Sequence, residues 1–151
     1  TTMAYLKRSG LDKLIPDLKQ PVLGICLGLQ LMCKHTEEGD VNCLGIFPLE
    51  VKKFTTETPL VKIPHMGWNT IDELRSPLFE GLQDGDHVYF VHSFYAEHSR
   101  YTIARTGYID YFSAALKKDN FFATQFHPEK SGTVGSRILE NFIKINEAER
   151  L

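Results

Sequence analysis

The chain has 151 residues, 42% of them hydrophobic and 24% charged, with a formal net charge of −2. That length and mix suit one soluble domain with a substantial core, and the near-balanced charge excludes the basic footprint of a nucleic-acid-binding surface. The longest largely apolar stretch, Pro21 to Cys33, is too short to span a bilayer and contains Gln30, so no membrane role is expected.

In chain order, Thr2 to Ser9 is expected to form a short helix, with Thr2 as its cap and Gly10 as its stop. Leu11, Leu14, Ile15 and Leu18 make a second helical stripe, expected to end at Pro16 and Asp17 or shortly after. Pro21 to Cys26 is a continuous apolar run, the pattern of a strand buried on both faces of a sheet. Leu27 to His35 returns to helical spacing and is expected to end by Gly39. Beyond Leu44 the composition turns to β-branched and aromatic residues. Strands are expected within Leu44–Phe54, Val61–Ile63, Thr70–Ile71, Val88–Tyr95 and Tyr101–Thr106. Phe112–Leu116 and Phe121–Phe126 flank Lys117–Asn120 as a hairpin. A last helix, Val134 to Ile145, presents Ile138, Leu139, Phe142 and Ile143 on one face.

Cys26, Cys33 and Cys43 are odd in number and lack C-x-x-C spacing, which argues against a disulfide framework and a zinc site. No signal-peptide pattern is visible, and a reducing cytoplasm is the expected compartment. His35, His65, His87, His92 and His98 have no metal-ligand spacing. The run Ser131 to Ser136 fits a capped helix start as well as a phosphate nest, and no Walker lysine accompanies it.

The chemistry concentrates in two strings. Gly24-Ile25-Cys26-Leu27-Gly28 is G-x-C-x-G where a strand gives way to a helix. There a nucleophile sits on a sharp turn, and flanking glycines let the backbone close in. The helix start is expected to favour the thiolate of Cys26, and the Leu27 amide to donate to an oxyanion. A lone cysteine is more often packing than catalysis; the glycine frame reverses that for Cys26, whereas Cys33 and Cys43 lack the frame and are expected to be structural. A thiol nucleophile needs a base, and the base an orienting group. Phe126-His127-Pro128-Glu129 supplies both: Pro128 favours extended backbone at His127, and residues i and i+2 of extended chain share a side.

G-I-C-L-G-L-Q with a distant Q-F-H-P-E resembles the class I glutamine amidotransferases. Pro64-His65-Met66-Gly67-Trp68-Asn69, Tyr89-Phe90-Val91-His92-Ser93 and Gln125 to Gly132 narrow the resemblance to the glutaminase subunits of imidazole glycerol phosphate synthases. The resemblance implies an α/β fold with a central, largely parallel sheet flanked by helices and an additional antiparallel β portion. It implies release of ammonia from glutamine by a triad of Cys26, His127 and Glu129, without metal or organic cofactor. Glutamine contacts are implied at Leu27, Gly28, Gln30, Glu38 and Ser93. A (β/α)8-barrel cyclase is the implied heterodimer partner, receiving ammonia and making imidazole glycerol phosphate and aminoimidazole carboxamide ribotide in histidine biosynthesis. His65, Met66, Gly67, Trp68, Asn69 and Lys130 resemble the face toward that cyclase, although Trp68 on its own fits a core position equally well. Glutaminases of anthranilate or guanylate synthases, and a non-catalytic cyclase-binding fragment, are the alternatives.

The family pattern normally starts earlier, with further parallel strands and a Pro-Gly-x-Gly loop for a second oxyanion donor. The chain is therefore expected to be a single domain, 1–151, lacking its N-terminal strands. Its first strand would then have an open edge prone to association.

Overall fold

The computed structural model describes residues 1–149. Its helices are α1 (Thr2–Ser9), α2 (Leu11–Leu14), α3 (Leu27–Met32) and α4 (Gly132–Glu149). Its strands are β1 (Val22–Ile25), β2 (His35–Thr36), β3 (Val41–Asn42), β4 (Glu50–Lys53) and β5 (His65–Thr70). They continue with β6 (His87–His92), β7 (Phe94–Ala96), β8 (Thr102–Tyr108), β9 (Asp110–Lys118) and β10 (Phe121–Thr124). The α1 cap is Thr1, whose side chain accepts from the Ala4 amide, one residue earlier than the expected cap; Gly10 closes the helix with φ of 80°.

The expected largely parallel sheet is realised as a mixed one. The principal sheet has the order β1-β10-β9-β8, parallel between β1 and β10 and antiparallel elsewhere. A second, β3-β2-β4-β7, has its parallel pair between β2 and β4. The β5–β6 hairpin forms a third. Both parallel pairs join strands that are not consecutive in the chain, as parallel pairing requires a long connection. The β9–β10 hairpin turns at Asp119 and Asn120, tighter than the expected loop, with Asp119 at φ of 53°.

Several expected boundaries shift. The strand buried on both faces is β10, all of it buried, whereas in β1 only Gly24 is buried. Phe121 and Ala123 of β10 face Leu29, Phe47 and Val51, while Phe122 faces the opposite core of Phe90, Phe112, Phe126 and Ile138. Strand alternation therefore feeds two cores, one toward α3 and one toward α4. Helix α3 ends at Met32, because the chain past Cys33 leaves to build β2, and His35 pairs there with Glu50 of β4 instead of extending the helix. The segment before Glu50 is loop, Val61–Ile63 is not a strand, and β5 reaches back to His65. Val88–Tyr95 is broken at Ser93 into β6 and β7, which join different sheets. In α4 the inward stripe is Val134, Ile138, Phe142 and Ile145, with Ile143 exposed.

Candidate active site

The first functional side chain stands where β1 hands over to α3. Cys26 has φ of 54° and ψ of −99°, a conformation that costs a non-glycine residue energy and persists only when its surroundings impose it. Gly24 is what permits the turn. A Cβ there would lie 2.9 Å from the Gly28 carbonyl carbon and 2.9 Å from the Met32 sulfur. Gly28 is under no such constraint, since a Cβ on it would meet open space.

The register of the two parallel strands brings in the second group. Ile25 lies beside Thr124, and the Cys26 amide donates to the Thr124 carbonyl at 2.7 Å. Gln125 thus comes alongside Cys26, and His127 follows at the same end of the sheet. His127 has the expected extended backbone (φ −98°, ψ 101°), but Glu129 does not continue it; Pro128–Lys130 is a 3-10 turn. The turn still delivers the carboxylate, with Glu129 Oε1 at 2.8 Å from His127 Nδ1. A proton on Nδ1 is held there, and Nε2 is the nitrogen left for chemistry.

The Cys26 thiol is pushed above its ordinary range. Burial is the main cause, the Leu27 amide and Gln125 pull the other way, and the carboxylates of Glu129 and Glu38 add to the rise. Burial therefore works against the thiolate that a helix start is expected to favour. The sulfur is held by Gln125 Nε2, which donates to it at 3.6 Å, and lies 3.7 Å from the Val91 carbonyl. Cys33 is fully buried and pushed up to about 12, an inert packing residue. Cys43 is partly buried and also raised.

Gln30 and Glu38 line a cavity of about 360 Å³, with Leu27, Thr36, Val41 and residues of α1 in its walls. Cys26 is not itself a wall residue but immediately precedes Leu27. Gln30 is buried and its Nε2 donates to the Phe94 carbonyl at 3.4 Å. Ser93 lies between Val91, whose carbonyl faces the sulfur, and Phe94, whose carbonyl faces Gln30. The structure thus gathers Cys26, His127, Glu129, Gln30, Glu38 and Ser93 around one end of the principal sheet.

The residues expected on the partner face divide. Met66 and Trp68 are 62% and 57% exposed, whereas His65 is buried and points inward, with Asn69 on the same side of β5. Period-two alternation makes this division inevitable for five successive strand residues. Trp68 is thus not in the core; its ring meets Tyr89 edge-on at 5.8 Å. Lys130 is exposed in the turn after His127.

Three further residues escaped sequence reasoning. Gln125 touches the sulfur. Ser131, buried, donates to the His127 carbonyl at 2.6 Å and accepts from the Tyr89 amide at 3.0 Å. Gly135 lets α4 rest on the His127 turn, since a Cβ would lie 1.9 Å from the Pro128 oxygen. The Ser131–Ser136 run is therefore an anchor for His127; its glycine four residues after a serine was the one visible signal.

A strained cysteine thus stands between β1 and α3, at the sheet end where the chain past β10, its parallel neighbour, carries a histidine–carboxylate pair. The family described as "Glutamine amidotransferase class-I" matches residues 7–145, and the chain belongs to that family. It is 59% identical to the imidazole glycerol phosphate synthase subunit HisH of Bacteroides thetaiotaomicron over 96% of this chain and 74% of that protein. It is 46% identical to the HisH of Shewanella sediminis over 97% of this chain and 68% of that one. Among solved structures, a putative GMP synthase component from Thermoplasma acidophilum superposes with a TM-score of 0.67 at 24% identity. That match covers 94% of this chain and 65% of the other. A glutamine amidotransferase from Thermotoga maritima gives 0.60 at 20% identity, over 99% and 59%. At those identities the structures speak for the fold alone. No helix of the described residues is long and apolar enough to cross a membrane.

Proposed function

We propose that this chain hydrolyses glutamine to glutamate and ammonia as the glutaminase subunit of an imidazole glycerol phosphate synthase, feeding the ammonia to a (β/α)8-barrel cyclase in histidine biosynthesis. Identities of 59% and 46% to HisH subunits favour this synthase over others. The observation that carries the chemistry is the junction of β1 and β10, where strained Cys26 and the His127–Glu129 pair share one sheet end.

Cys26 begins as a thiol. As its sulfur attacks the glutamine carboxamide carbon, its proton passes to His127 Nε2, and Glu129 stabilises the imidazolium through Nδ1. The carboxamide oxygen becomes an oxyanion, for which the Leu27 amide, next to the Cys26 sulfur, is the donor. His127 then returns the proton to the nitrogen, the C–N bond breaks, and ammonia leaves with a thioester on Cys26. His127 next takes a proton from water, which attacks the thioester; the C–S bond breaks, His127 returns the proton to the Cys26 thiolate, and glutamate departs. Gln30, Glu38 and the backbone at Ser93 hold the amino-acid end of glutamine. Met66, Trp68 and Lys130 face the cyclase.

Ammonia release from glutamine, assayed with the cyclase present, tests the reading. Cys26→Ala should abolish release and labelling by a glutamine-analogue electrophile, while Cys33→Ala and Cys43→Ala should retain both. Label mapping to Cys33 would overturn the nucleophile assignment.

A further inference from the structure

The site rests on two buried histidines that the chemistry above does not use. His65 and His92 lie opposite each other on β5 and β6, 3% and 5% exposed, with His65 Nδ1 at 2.9 Å from His92 Nε2. At one end, His92 Nδ1 lies 2.8 Å from the Phe94 carbonyl. At the other, Asn69 Nδ2 lies 3.2 Å from His65 Nε2 and 3.1 Å from the Gly107 carbonyl, while Asn69 Oδ1 accepts from the Thr70 amide at 2.7 Å.

The proton positions follow from both ends. A backbone carbonyl only accepts, so His92 carries its proton on Nδ1. Asn69 Oδ1 is taken by an N–H, so its amide nitrogen faces His65, whose Nε2 must be bare. A neutral His65 then has its proton on Nδ1 and donates it to a bare His92 Nε2. Both rings are held neutral, since burial lowers His65 to about 4 and His92 to about 3. His127 is the other titratable side chain whose charge reaches His92. Phe90 and Tyr108 stack on the two faces of His65, at 4.7 and 3.9 Å between ring centres, so the ring cannot turn over without displacing them.

The chain of donors ends on the carbonyl that Gln30 also uses, at 3.4 Å. That carbonyl belongs to the first residue of β7, which pairs with Lys53 of β4 directly after the break at Ser93. We propose that Asn69, His65 and His92 form a one-way hydrogen-bond relay that positions the Ser93–Phe94 backbone and Gln30 for the amino-acid end of glutamine. These are positioning residues, acting on substrate affinity through the Phe94 carbonyl. The proposal rests on the glutaminase reading and refines its substrate site.

The test uses the chain assembled with its cyclase, ring-15N spectra, and glutamine KM and kcat across pH. In the unaltered protein at pH 7, both rings should show a protonated Nδ1 and a bare Nε2. His92→Leu removes the last donor and should raise glutamine KM about tenfold, the worth of one hydrogen bond, with kcat little changed. His92→Asn, whose amide nitrogen can occupy the Nδ1 position, should restore KM. Asn69→Asp demands a proton on His65 Nε2. Its KM should be near normal while His65 is an imidazolium and rise about tenfold as pH passes the new ionisation, a step the unaltered protein lacks. A proton on His92 Nε2 in the unaltered protein, or a folded His92→Leu with unchanged KM, would overturn the relay. Absence of ammonia release from the unaltered assembly would instead overturn the glutaminase reading.

Discussion

Burial raises the Cys26 thiol, and the Gln125 amide is one of two groups that pull it back down. Gln125 is fully buried, and its Oε1 has no hydrogen-bond partner among the described residues. Replacing it with leucine therefore removes the donor to sulfur together with an unpaired buried oxygen, so the loss of stability should be small. The thiol should become harder to ionise. We expect Gln125→Leu to slow alkylation of Cys26 at neutral pH about tenfold, for about 1.4 kcal/mol of lost thiolate stabilisation, with a nearly unchanged melting temperature. An unaltered pH profile of alkylation would show that Gln125 does not tune the sulfur.

Two elements can be tested by a single substitution each. The His127 turn lies between β6, through Tyr89, and α4, through Gly135. Gly135→Ala should improve intrinsic helix propensity by about 1 kcal/mol, yet the contact with the Pro128 oxygen leaves no room for a methyl group. We expect a net destabilisation of about 1–3 kcal/mol and a loss of ammonia release larger than that explains, because the turn carrying His127 must move. Retained activity and stability would contradict the packing. On β5, Trp68 is exposed, so Trp68→Ala should change folding stability by less than about 0.5 kcal/mol. The same change should weaken cyclase binding by about 2 kcal/mol, the scale of an aromatic anchor. A lowered melting temperature with unchanged affinity would reverse that assignment.

Over the whole molecule, histidines work in opposite directions on either side of neutrality. His35 has both ring nitrogens on carboxylates, Nε2 at 2.7 Å from Asp40 and Nδ1 at 2.8 Å from Glu50, which raises its pKa. Its contribution is complete below the unfolded value of about 6.5 and fades as pH rises through the higher folded value. His65 and His92 are depressed to about 4 and about 3. Their contribution is complete above about pH 6.5 and is lost as pH falls toward those values, each adding a slope of up to about 1.4 kcal/mol per pH unit. Denaturation midpoints measured from pH 4 to 9 should peak near neutrality, and His35→Gln should flatten the alkaline limb alone. A stability constant between pH 4.5 and 6.5 would contradict the neutral, buried histidine pair.

Geometry confined to neighbours in the chain was legible in the sequence. G-x-C-x-G at a strand-to-helix junction marked the strained turn at Cys26, and His-Pro-Glu marked the contact of His127 with Glu129, because steric and proline constraints act within a few residues. The ends of α1 and the cores of β9, β10 and α4 were visible for the same reason, through periodicity and stop signals. Tertiary structure alone decided what depends on long-range pairing. The sequence does not show that β10, not β1, is the strand buried on both sides, that His35 leaves the helix for a sheet, or that His65 and Trp68 take opposite faces. Nor does it show that Gln125 touches Cys26 or that Ser131 and Gly135 hold the His127 turn. Sheet register sets each of these, and register emerges only when strands distant in sequence pack against a shared core.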